Sequence, residues 1–162
     1  MQSLLDLLAV YSELAIGLAG FSGVAAAFSG RDRQFKPTEL ARLQTVLMSS
    51  ASVVLGSLSF YVASTIGADP STPTIAAAVT SLACTLYYAF TVLPRAWRAL
   101  SDPDSTSNKA VLSIFTAITV AILLAYGGCV LLRGLSTLLV AGFSMQLAYG
   151  LWSFTRLLTR PN

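Results

Sequence analysis

The stretch AVLSIFTAITVAILLAYGGCVLLRGLSTLLVAGFSMQLAYGLWSFT, residues 110–155, carries a single charged residue, Arg133. As one helix it would be roughly 70 Å long. A bilayer offers a hydrocarbon core of only about 30 Å. The stretch therefore reads as two spans broken at Arg133-Gly134. So short a break makes them a tight antiparallel hairpin.

The same length criterion, about 20 apolar residues, picks out five spans near 7–29, 44–67, 74–93, 110–132 and 135–155. They are separated by SGRDRQFKPTELAR, ADPSTP and PRAWRALSDPDSTSNK, which are rich in turn formers and charges. Composition agrees: 55% of the residues are hydrophobic, 10% are charged, and the mean hydropathy is +0.72. Soluble domains carry about 25% charged residues. The chain reads as an all-α polytopic membrane protein, residues 1–162 forming one transmembrane bundle with no soluble domain. The opening MQSLLDLLAV lacks a basic leader and is interrupted by Asp6, so no signal peptide is expected. Thr38 reads as the N-cap of the second helix.

Arg31, Arg33, Lys36, Arg42, Arg95, Arg98, Lys109, Arg156 and Arg160 all fall on one side of a five-span chain, and only Arg133 on the other. By the positive-inside rule the N-terminus faces out and the C-terminus faces the cytoplasm. The basic residues set topology, so nucleic acid is not an expected partner; the lipid bilayer is. The expected location is a bacterial inner membrane.

Catalytic and metal motifs are missing from the sequence. There is no histidine, no phosphate-binding glycine loop and no Cys/His or Ser/His pair. Cys84 and Cys129 both lie in apolar runs, which suits buried thiols better than a disulfide. No cofactor and no enzymatic activity are expected.

The polar residues within the spans carry the functional expectations. Asp6 and Glu13 are seven residues apart on the first helix and so share a face. Counted from an inner boundary at Ser29, Glu13 lies roughly 24 Å up, just inside the outer edge of the bilayer. Gly17 and Gly20 follow it, with Ala15, Ala19, Gly23 and Ala27 at four-residue steps. Small residues let helix backbones approach closely in lipid. On the second helix Thr45, Ser49, Ser52, Gly56, Ser59 and Ala63 step by four and three, a heptad seam of small and hydroxyl side chains. Such a seam either packs on another helix or faces water. Gln146 is expected to bond another helix.

Three functions follow. A homo-oligomeric channel would ring the carboxylates of Glu13 around an axis and concentrate cations, with Asp6, Gly17, Gly20, Ser49, Ser52 and Ser59 along the ion pathway. A structural or accessory subunit would pair Glu13 with Arg133 and use the small-residue lines, including Gly56, for assembly. A small proton-coupled transporter would cycle Glu13 between protonated and charged states. A membrane glutamate on the first helix is similar, in position only, to that of the small multidrug resistance exporters. Those proteins have four short helices, and no residue is carried over from them.

Overall fold

The computed structural model describes residues 2–29, 37–66, 69–100 and 106–158. These residues are all helical apart from turns: α1 (Gln2–Ser29), α2 (Pro37–Thr65), α3 (Thr72–Thr91), α4 (Leu93–Leu100), α5 (Thr106–Leu131) and α6 (Ser136–Leu158). Five of the six are long and apolar enough to cross a membrane, over Ser3–Ala27, Glu39–Thr65, Thr72–Arg95, Ser113–Leu131 and Ser136–Arg156.

Arg133-Gly134 is a turn. Gly134 N–H reaches back to Cys129 O (2.8 Å) and Arg133 N–H to Val130 O (3.3 Å). Arg133 has φ 55° and Gly134 φ 83°. This bond pair is the Schellman arrangement, which satisfies the last carbonyls of α5 and ends it. A side chain at Gly134 would come within 2.9 Å of Ser71 O, so this turn packs against the start of α3.

One detail differs from the sequence reading. α2 begins at Pro37, one residue before Thr38; proline's fixed φ and missing N–H suit the first helical position, so Thr38 lies inside the helix. Pro94 follows the end of α3. It lies in the first turn of α4, which carries exposed Arg95, Trp97 and Arg98. Proline cannot donate to the carbonyl four residues back, so the α-helical ladder breaks there and restarts.

α2 is central and packs on α1, α3 and α6, while α5 closes the bundle against α3 and α6. The middle is filled by Val53, Phe60, Ile122, Tyr126, Leu139 and Phe143, all 2% exposed or less. Tyr88, Val92 and Tyr149 form a second cluster beside Phe115 and Trp152. α1 is the least buried of the five spans.

Candidate functional site

The register of α1 against its neighbours sets the depth of Glu13. Tyr11 OH bonds Ser144 Oγ (2.6 Å), and Leu18 Cδ2 lies against Gly150. The two helices therefore run the same way, and Glu13 falls level with Gln146. On the other side Ser57 Oγ donates to Leu8 O (3.4 Å), which puts Glu13 level with Ser52. Gln146 and Ser52 are the midpoints of the spans Ser136–Arg156 and Glu39–Thr65. Glu13 thus stands at the mid-length of the bundle, not near its outer end. The count from Ser29 misplaced it because α1 overshoots: Phe21 is already beside Phe154, near the end of α6. Asp6, two turns before Glu13, lies within the half of the bundle that holds the Arg133 turn.

Both acids are exposed and face away from the bundle. The buried face of α1 runs through Leu8, Ala15 and Ser22. Opposite it lies a line of four- and three-residue steps: Asp6, Val10, Glu13, Gly17, Gly20, Val24 and Ala27. Val10 and Val24 on that line are half exposed, at 51% and 54%. A Cβ built at Gly17, Gly20 or Gly23 would meet nothing within 4 Å. The line Ala15, Ala19, Gly23 and Ala27 does not stay on one face: Ala15 is buried, Ala19 half-buried, and Gly23 and Ala27 exposed. Steps of four overshoot a 3.6-residue turn, so that line winds outward, whereas steps of seven hold their face.

Glu13 stands at the edge of an open groove of about 410 Å³ between α1 and α6, which it lines together with Leu14, Gly17, Phe21, Leu147 and Leu151 among others. Glu13 makes no ion pair with Arg133 among the described residues. Arg133 lies in the α5–α6 turn, at the end of the bundle, while Glu13 lies at its middle.

The α2 seam turns inward instead. Thr45, Ser49, Ser52 and Gly56 are buried, and Ser59 and Ala63 half-buried. Ser52 and Ser81 exchange bonds, each hydroxyl donating to the other's carbonyl at 3.3 and 3.2 Å. Ser59 meets Thr80 at 2.9 Å. Gly56 lies under Ser81 Oγ and the Phe143 ring, where no Cβ would fit. The seam is the contact that brings α3 onto α2.

A polar file continues from it through the centre. Tyr126 OH donates to Gln146 Oε1, Gln146 Nε2 donates to Thr85 Oγ1 (3.1 Å), and Thr85 Oγ1 donates to Ser81 O (2.8 Å). Nearby, Thr45, Tyr88 and Tyr149 join hydroxyls at 3.0 Å each. Between the two groups Ser49, Thr85, Thr119 and Gln146 help line a cavity of about 10 Å³, room for one water. Gln146 bonds other helices, as its position suggested. Ser81 and Thr85 escaped the sequence reading, although with Tyr88 they repeat at four and three on the buried face of α3.

No family model, curated protein or solved structure matches this chain.

Proposed function

We propose that the protein is a homo-oligomeric membrane protein that conducts cations along an axis lined by α1. The observation that carries this reading is Glu13, held at mid-length on the one face of α1 that its own chain leaves bare. In a bilayer a charged residue at the centre of a spanning helix costs about 2.5 to 3.5 kcal/mol. Nothing among the described residues offsets that cost, and Asp6 on the same face adds to it. Copies arranged around a symmetry axis would turn this face toward a shared, water-filled interior. Glu13 would then form a ring of carboxylates that attracts cations. Gly17 and Gly20 below it leave space for water or for close approach of neighbouring helices. Ser49, Ser52 and Ser59, which face inward within one chain, take no part in this pathway. The basic residues support an N-terminus-out orientation in a bacterial inner membrane.

The groove beside Glu13 favours a second reading, a small proton-coupled transporter with an apolar substrate against α1 and α6. Disulfide cross-linking separates assembly from its alternatives. With Cys84 and Cys129 replaced by alanine, Gly20→Cys in native membranes should yield cross-linked copies under oxidation, and Leu8→Cys on the buried face should not. Equal cross-linking of both, or of neither, would contradict an α1 axis. A transporter is favoured over a channel where flux needs a proton gradient and saturates with an apolar substrate.

A further inference from the structure

The bundle end opposite the Arg133 turn carries two cations that meet without an anion among the described residues. Arg42, on the second turn of α2, donates from Nη1 to Arg156 O near the end of α6 (3.0 Å). The Arg156 guanidinium lies over the Trp152 ring, 5.9 Å from its centroid. Trp152 is itself stacked on Phe115, with centroids 4.9 Å apart and planes 19° apart. The bond to Arg156 O brings the Arg42 guanidinium beside the residue that carries the second cation, and like charges placed near each other repel. No carboxylate is shown paired with either among the described residues; Glu39, one turn before Arg42, is buried and has a partner.

Capping of α6 explains part of this. The last carbonyls of a helix want donors, and its C-terminal dipole favours cations. One N–H of Arg42 meets that need. A guanidinium has five N–H donors in a planar fork, so among the described residues most of Arg42 and all of the Arg156 fork remain available. Phosphate oxygens match that fork and would turn the repulsion into attraction. The site lies where the apolar span of α6 ends, beside a tryptophan of the kind that marks the headgroup level. Arg95 and Arg98 are exposed on α4, which packs against α2.

We infer that Arg42 and Arg156 form a clamp for the phosphate of an anionic lipid headgroup. The inference does not depend on conduction. Native mass spectrometry of the full chain in detergent tests it, with phosphatidylglycerol, phosphatidylcholine, diacylglycerol and inorganic phosphate added separately. Phosphatidylglycerol should be retained over the two uncharged-overall lipids. Arg156→Gln, which removes no hydrogen bond that holds the fold, should reduce that retention about tenfold. Arg42→Lys should fall between parent and Arg156→Gln, since it keeps charge without the fork. Arg133→Gln at the other end should match the parent. Equal retention of phosphatidylglycerol and phosphatidylcholine would overturn the clamp, as would undiminished retention by a folded Arg156→Gln. Inorganic phosphate bound with the same Arg156 dependence, while phosphatidylglycerol gains nothing over phosphatidylcholine, would overturn the lipid assignment.

Discussion

Replacing Gly56 with alanine tests the packing of the α2 seam with a single methyl group. The new Cβ would fall against Ser81 Oγ and within 2.8 Å of Phe143 Cζ. Phe143 cannot retreat: it is fully buried and stands edge-on to Tyr126 and Tyr11, each with centroids 6.0 Å away. Ser81 can turn aside only by giving up its bond to Ser52 O. Overpacking costs about 1 to 3 kcal/mol, and an interhelical bond in a membrane bundle averages about 0.6 kcal/mol. Alanine also gains about 1 kcal/mol of helix propensity at this interior position, so the net loss is roughly 1 to 3 kcal/mol. Gly17→Ala is the matched control, because its methyl would meet nothing within 4 Å. It should leave the single chain as stable as before, or up to about 1 kcal/mol more stable through helix propensity. Unfolding of the helical signal in a denaturing-detergent titration reads both variants. Equal stability of Gly56→Ala and parent, or equal damage from Gly17→Ala, would refute the packing argument.

Two further substitutions probe the polar file in the same titration. Gln146→Leu strands the Tyr126 hydroxyl and removes the donor to Thr85, so it should cost about 1 to 3 kcal/mol. Ser153→Ala should be neutral or stabilising, since the Ser153 hydroxyl is buried with no hydrogen-bond partner among the described residues and its removal relieves a desolvated group.

The number of membrane-length helices was legible because apolar length is a coarse signal that survives any packing. The turn at Arg133-Gly134 was legible for the same reason, together with a glycine placed to accept a positive φ. The depth of Glu13 was not. The apolar run of α1 continues past the level where α6 ends, so a helix end is a poor ruler for a membrane boundary. Depth is fixed between helices, by pairs such as Tyr11 with Ser144. The inward turn of the α2 seam had the same character, since a hydroxyl heptad suits a protein contact and a water-lined wall equally well. Its outcome rests on Ser81 and Phe143, far away in sequence. The outward line on α1 was half legible: Asp6 and Glu13 share a face by spacing, but which face the bundle covers depends on Leu8, Ala15 and Ser22 packing inward.

The most direct test of an α1-lined cation pathway is the potassium flux of the reconstituted full chain, compared between parent and Glu13→Gln. Glutamine keeps the shape of the side chain and removes its charge. The account predicts measurable cation flux for the parent, and for Glu13→Gln a protein that assembles as before but whose flux falls about tenfold, or whose preference for cations over chloride is lost. Parent vesicles without flux, or a Glu13→Gln variant with the parent's flux and selectivity, would contradict it.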